Sequence, residues 1–431
     1  MPTFTLILTI FVFGATLALI LLRPGPFDEA RAALLGGLLM IAIGAVPPGQ
    51  AASVLVGSWN VFLFFLGLMT ISAIAEAAGF FDWIAAHAAR ASGGSTRRLF
   101  LNVFAIGVLI STFLSNDATA LVLTPIVFTL VTKLGVEPLP FMFACTFIAD
   151  TASLTLPVSN PVNILMLDVF PQTLGAYLRH LFVPSLLAIA INVGFFVWLF
   201  RREIGGRVAH EAMPAPEEAI AHRAFFRYVL AVLALVAVAY VAASARGWPL
   251  SFVALAGGAA LLAGGLAWGR IDLRRLGREI SWSLFPFVAG VLVVVQGVEN
   301  AGLTARLGQL FLSLAGQHPL QAALAGAFGS ALTCNLVNNV PTMMLLRSAL
   351  RSLTTATPAV ERALVYSTIL GCDLGPNVTT IGSLATILWL LILQRKGLKV
   401  RPLDYFKIGI VVTPLMLLAG AIAIGAAASL G

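Results

Sequence analysis

Three aspartates, Asp117, Asp150 and Asp373, lie inside apolar stretches of the chain, each beside Asn, Ser, Thr, Gly or Pro. A carboxylate at the centre of a membrane span costs about 2.5–3.5 kcal/mol even on insertion scales, so its presence asks for a reason. One reason is chemical, since a buried carboxylate can bind and release a proton or coordinate a cation. The plainer one is N-capping of a following half-helix, a role Asp fills well. Four polar clusters hold these residues. The first is Ser115-Asn116-Asp117 with Thr119 and Thr124-Pro125, and the second is Asp150-Thr151-Ala152-Ser153 followed by Pro157 to Pro161. The third runs from Asn335 to Thr342 around Asn338-Asn339, and the fourth from Asp373 through Gly375-Pro376-Asn377 to Thr379 and Thr380. Asn116, Ser153, Asn338, Asn339, Asn377 and Thr379 offer neutral donors and acceptors, which suit a small oxygen-rich solute, neutral or anionic. Asp117, Asp150 and Asp373 are the candidates for proton coupling.

Positioning such groups in an apolar medium constrains the backbone. An unpaired N–H or C=O in hydrocarbon costs several kcal/mol, so irregular chain survives at membrane depth only inside protein or beside water. Proline prevents a continuous helix, glycine admits close approach, and the half-helix ends present N–H groups with partial positive charge.

The rest of the sequence supplies that medium. Of 431 residues 59% are hydrophobic and 10% charged, against roughly 25% charged in soluble domains. Mean hydropathy is +0.98. Such a chain cannot cover a water-facing exterior, which excludes a soluble enzyme, a nucleic-acid binder and a disordered protein. The net charge of +8 then reads as the Lys and Arg excess of cytoplasmic loops, not as a nucleic-acid footprint.

Apolar runs predict spans near 4–22, 32–48, 53–78, 139–168, 175–200, 225–243, 250–268, 284–301, 362–393 and 405–428. The first lacks a basic flank and reads as a span, not a cleaved signal peptide. Two further segments, 98–134 and 319–353, are paired shorter runs meeting at Ser115-Asn116-Asp117 and Asn338-Asn339, each a re-entrant hairpin or two full crossings. The expected fold is an all-α polytopic membrane protein with ten transmembrane spans plus two re-entrant helical hairpins in two inverted-topology repeats. Residues 1–200 form the first repeat, the polar 201–224 loop a cytoplasmic linker, and 225–431 the second repeat.

Two patterns carry that expectation. Twenty Lys and Arg fall on one side and six, Arg179, Arg246, Arg306, Arg347, Arg351 and Arg362, on the other. The positive-inside rule makes the first side cytoplasmic, with both termini extracytoplasmic. A shift of 223 residues carries Ser58-Trp59 onto Ser281-Trp282, Gly67 onto Gly290, Glu76 onto Glu299, Gly79 onto Gly302 and Asp150 onto Asp373. A shift of 222 takes Asn116-Asp117 onto Asn338-Asn339. Five crossings per copy, an odd number, require the second to be inverted, and inverted repeats with broken helices place substrate between the copies near mid-membrane.

Other candidates carry less chemistry. Glu76 and Glu299 meet amphipathic stretches (80–91 and 303–314) and read as interfacial anchors or caps. His87, His180 and His318 read as solvated loop residues. Cys145, Cys334 and Cys372 lie in apolar runs, where a free Cys behaves as a small hydrophobe. No zinc, phosphate-binding or nucleophile-elbow motif is present, so no metal or cofactor is expected, and the buried carboxylates leave a proton or a cation open as the coupling species.

At the four clusters the chain resembles the arsenite efflux antiporter family, ArsB, within a larger superfamily of sodium/proton antiporters and dicarboxylate carriers. The longest matching run is Gly371-Cys372-Asp373-Leu374-Gly375-Pro376, continuing through Thr379, Ile381 to Thr386, and Leu388-Trp389. Two positions depart from the family pattern. Ala118-Thr119 stands where relatives carry Gly, and Asn377 where they carry Lys. The resemblance implies export of arsenite and antimonite in exchange for protons across a bacterial inner membrane, with a soluble arsenite-pump ATPase as a cytoplasmic partner. The tips Ser-Asn-Asp and Val-Asn-Asn differ from the Ser-Asn-Thr of dicarboxylate carriers. A sodium/proton antiporter of the same superfamily, and a membrane scaffold without flux, are the alternative readings.

Overall fold

The computed structural model describes residues 3–24, 28–208, 213–353 and 356–430, so part of the expected linker, 209–212, lies outside the described residues. Helices α1 to α10 are Thr3–Leu22, Glu29–Ala42, Pro48–Gly57, Trp59–Ala77, Phe80–Ala91, Thr96–Phe113, Thr124–Lys133, Pro138–Ala152, Pro161–Val169 and Leu174–Leu199. Helices α11 to α20 are Arg223–Ala245, Leu250–Ala267, Leu273–Glu279, Leu284–Asn300, Leu303–Ala315, Pro319–Val337, Asn339–Arg351, Pro358–Leu374, Leu384–Arg395 and Pro402–Ser429. Each helix of the first series is answered, in order, by one of the second.

Local chemistry sets the boundaries. Pro occupies the first turn of α8, α9, α16 and α18, where its missing N–H costs nothing. Ser95, Thr173 and Thr357 accept from backbone N–H groups to cap α6, α10 and α18. Gly79 (φ 83°) and Gly302 (φ 73°) take the left-handed conformation that turns each span into the amphipathic helices α5 and α15.

Nine helices among the described residues are long and apolar enough to cross a membrane. The expected spans differ from the observed helices in two places. The 32–48 segment yields α2, only 14 residues long. The 53–78 segment breaks at Ser58 into α3 and α4. The 139–168 and 362–393 segments break as expected, although the second interruption extends to Ser383. Large apolar side chains such as Phe4, Phe11 and Val238 point outward, as a lipid-facing surface requires.

The helices cross between the two series. Helix α4 packs on α12, and its counterpart α14 packs on α2. A Cβ on Gly67 would overlap the Ala254 backbone, and one on Gly290 would overlap the Ala33 backbone. A Cβ on Gly258 would lie 3.2 Å from the Gly67 carbonyl, and one on Gly37 3.3 Å from the Gly290 carbonyl. The same crossing is therefore built twice, each time with glycine at the contact.

Candidate functional site

The four interruptions meet. The π-helical turn after the first hairpin tip, Ala118–Leu123, packs on α8 and α19. The short turn Gly375–Asn377 packs on α8, α16, α18 and α20. Ala120, Ala149 and Ala385, one from each of three interruptions or their flanks, form a small buried cluster.

Hydrogen bonds then tie the polar side chains into two chains. Asn116 Nδ2 donates to Asp150 Oδ1 at 3.4 Å, while Asn116 Oδ1 accepts from the Asp117 N–H at 2.9 Å. Ser115 Oγ accepts from the Ala118 N–H at 3.0 Å and restarts the helix after the tip. Asn160 Nδ2 donates to Asp373 Oδ1 at 2.8 Å and to Ser153 Oγ at 3.1 Å, and Ser153 Oγ donates to the Asp150 carbonyl at 2.8 Å. A cross-series path thus runs from Asp150 to Asp373. Beside it Thr151 Oγ1 accepts from Asn192 Nδ2 at 2.7 Å and Asn377 Nδ2 at 3.3 Å.

Among the described residues, no protein group donates to several buried oxygens in this region: Oδ2 of Asp150 and Asp373, and Oδ1 of Asn163, Asn192 and Asn377. An ionised carboxylate oxygen and an amide oxygen can only accept. A buried acceptor left unpaired costs about 1–3 kcal/mol. The cluster therefore favours whatever brings O–H or N–H donors to it.

Two cavities approach from opposite ends. The first, about 200 Å³, is lined by Met69, Ser72, Ala73, Glu76 and Ser281, and it reaches Ser115, Asp117 and Pro161. The second, about 370 Å³, is lined by Ser58, Leu292, Val295, Gln296 and Glu299, with Asp168 and Arg347 also in its wall. A shift of 223 carries Met69, Ser72, Ala73 and Glu76 of the first cavity onto Leu292, Val295, Gln296 and Glu299 of the second, and Ser58 of the second onto Ser281 of the first. Helix α4 starts beside the second cavity at Ser58 and ends at the first near Glu76, whereas α14 starts at the first near Ser281 and ends at the second near Glu299. Equivalent helices run in opposite directions.

The structure distributes the expected site residues unevenly. Asn116, Ser153, Asp150, Asp373 and Asn377 join the central chains, and Asp117 lines the first cavity. Thr379 instead donates to Asn335 Oδ1 at 2.6 Å, and Asn338, at φ 75°, caps α17 and donates to the Ile381 carbonyl at 3.3 Å. Asn339 is buried, and its N–H donates to the Gly382 carbonyl at 2.9 Å. These three hold the second tip against the second break.

Capping by the aspartates is not what the structure shows. Asp150 and Asp373 occupy the last turns of α8 and α18, Asp117 makes no side-chain cap, and the half-helices α9 and α19 are capped by Asn160 and Ser383. Asn160, Asn163, Thr151 and Asn192 join the network without being among the candidate side chains, although Thr151 and Asn160 stand within the second polar cluster. Asn160 sits in the Ser159-Asn160-Pro161 break, the signature that marked the other tips, while Asn192 carries no local signal within α10. His180 is a further correction. It lies in α10, buried, with Nδ1 2.8 Å from the Ala176 carbonyl and its ring stacked on Tyr366 at 4.3 Å. His87 lies on α5, not in a loop, though it is exposed. Glu76 and Glu299 line the two cavities, with Ser348 Oγ donating to Glu299 at 2.7 Å.

Comparison with known proteins places this geometry. A profile described as arsenical pump membrane protein matches residues 8–425. The arsenical pump membrane protein of Escherichia coli is 33% identical over 405 residues, covering 93% of this chain and 94% of that one. Among solved structures, the YdaH transporter of Alcanivorax borkumensis superposes with a TM-score of 0.61 over 100% of this chain and 99% of its own, at 15% identity. MtrF of Neisseria gonorrhoeae, described as illuminating a class of antimetabolite efflux pumps, gives 0.56 over 97% and 94%, at 13% identity. The structural likenesses speak to the fold, that of membrane transporters, and the sequence match speaks to the family. The chain belongs to the arsenical pump membrane protein family.

Proposed function

We propose that this chain exports arsenite and antimonite from the cytoplasm in exchange for protons, across a bacterial inner membrane. Residues 1–200 and 225–431 would act as the two repeats, joined by a cytoplasmic 201–224 linker. Family membership supports the arsenical cargo. The observation that carries the exchange is the acceptor-rich cluster at Asp150, Asp373, Asn163, Asn192 and Asn377.

Trivalent arsenic near neutral pH is an uncharged trihydroxy species, so it brings O–H donors to a site that has acceptors to spare. A protonated carboxyl brings a donor of its own. Solute and proton therefore satisfy the same oxygens, and each disfavours the other. Binding from the cytoplasm would engage Asp150 and Asp373 in their ionised form, aided by Asn116, Ser153 and Asn377. Proton entry from outside would convert carboxylate acceptors into O–H donors, and the solute would leave. Asp117, half-buried on the first cavity, would relay protons or shape entry.

An Asn at either position presents an amide donor at all pH values and fixes the proton-loaded state. In everted vesicles, Asp150→Asn and Asp373→Asn are each expected to abolish the dependence of arsenite uptake on an imposed pH gradient. Uptake that stays fully coupled in both variants removes these carboxyls from the cycle. Sodium-driven proton movement without arsenite would instead favour the sodium/proton reading.

A further inference from the structure

Arg347 is unusual as a cation buried between the two series of helices. It lies on α17, the second arm of the second hairpin, and is only 9% exposed. Its Nη1 donates to the Leu165 carbonyl at 2.8 Å and lies 4.0 Å from Asp168 Oδ2. Both partners belong to α9, which is in the first series. A cation placed on carbonyls near a helix C-terminus complements the helix dipole there. A buried guanidinium left without partners costs several kcal/mol, so the contact resists casual opening.

The helix it grips has an unusual place. Helix α9 is nine residues long, about 13 Å. Its first residue, Pro161, lines the first cavity, and Asp168 and Val169 near its end line the second. Its N-cap, Asn160, is the residue hydrogen-bonded to Asp373 and Ser153. One short rod therefore touches the polar cluster at one end, Arg347 at the other, and a cavity at each. Neither side of the latch has a repeat counterpart. The positions matching Arg347 are Thr124 and Pro125, and the one matching Asp168 is Leu391.

We propose that Arg347 is a positioning residue that holds α9 as the partition between the two cavities, with the site facing the first cavity, and that its release from Leu165 and Asp168 opens the site to the second. A shift in Asn160 when Asp373 gains a proton or a solute would travel along α9 to the latch. The inference rests on the transporter reading, yet it needs neither arsenite nor a pH gradient for its test.

The test uses a Ser115→Cys probe, isosteric and at the inner end of the first cavity, with Cys145, Cys334 and Cys372 replaced by Ala. A membrane-impermeant maleimide is applied to each face of oriented vesicles. With Arg347 intact, labelling is expected from the first-cavity face and at least about tenfold slower from the other. Arg347→Met should raise second-face labelling at least fivefold and lower first-face labelling. Arg347→Lys, which keeps charge but not the fork, should restore part of the original bias, and Asp168→Asn should shift it less than Arg347→Met. Unchanged labelling from both faces in a membrane-inserted Arg347→Met protein overturns the proposal. If that variant fails to insert, Arg347→Lys together with Asp168→Asn decides, and absence of any shift in both likewise overturns it. A shift in labelling without arsenite export would sink the proposed cargo and leave the latch standing.

Discussion

The two cavities share five repeat-equivalent wall positions, related by 223 residues and turned end for end, yet the rest of their walls differ. The first penetrates to the hairpin tip at Ser115 and Asp117, with the first residue of α9 in its wall. The second has the Arg347–Asp168 pair in its wall. What is shared, the glycine crossings of α4 with α12 and α14 with α2, supplies a scaffold that can be approached from either side. What is not shared decides which side is open. Symmetry places the site and its breaches set the state, which makes the comparison open to experiment.

The hardest way to break it is through the shared part. If the two crossings are equivalent, they should fail equally. Gly67→Val would drive a side chain into the Ala254 backbone, and Gly290→Val would do the same at Ala33. Overpacking against backbone has no flexible atom to yield, so each is expected to cost ~3 kcal/mol, at the upper end of the usual range. Gly194, with nothing within 4 Å of its missing Cβ, is the control, and Gly194→Ala should stay within ~1 kcal/mol. Thermal unfolding in detergent would measure all three. A large loss at one crossing and none at the other would show that the equivalence is one of sequence and not of packing.

The two hydrogen bonds that reach the buried carboxylates sharpen the comparison. Asn160 bonds Asp373 at 2.8 Å and also caps α9, whereas Asn116 reaches Asp150 only at 3.4 Å. Hydrogen bonds to charged groups contribute about 1.5–3 kcal/mol when well formed and weaken with length. Asn160→Ala is therefore expected to slow arsenite transport at least tenfold, a loss of ~1.4 kcal/mol or more, and Asn116→Ala less than about fivefold. Initial rates in vesicles would check the order, and the reverse order would move the centre of the site to the first hairpin tip.

This asymmetry between Asn160 and Asn116 also shows what the sequence could carry. The tips, the broken spans and the paired Asp150 and Asp373 were legible because proline, glycine and polar residues are conspicuous in apolar runs, and the fixed shift related them. The unequal ends of the cavities were not legible. Arg347 is counted with loop cations by charge alone, and only the packing of α17 on α9 reveals it as buried. Asn192 sits mid-helix with no break beside it, so its bond to Thr151 depends on how α10 meets α8. His180 read as solvated because polarity alone says nothing about an aromatic partner such as Tyr366 supplied by a distant helix. Local patterns expose backbone accounting; side-chain meetings across helices need the fold.

The smallest effect is expected where neither cavity reaches. Trivalent arsenic is thiophilic, and Cys334 on α16 lies against Cys372 on α18, beside Asp373, which invites a thiolate site. The surroundings argue otherwise. All three cysteines are buried, and none lines either cavity. Helices α16 and α18 approach so closely that a Cβ on Gly371 would overlap the Ala327 carbonyl and Ser330 Oγ. The two thiols fill a tight crossing, with no space for a trihydroxy solute between them. Soft thiolate ligation would also hold the metalloid firmly, where transport needs release. Replacing Cys145, Cys334 and Cys372 together by Ala should keep arsenite export within about threefold, since small volume losses at a close crossing cost stability before function. Loss of export in a variant that inserts at normal levels would transfer the binding step from the amide and carboxylate oxygens to the α16–α18 crossing.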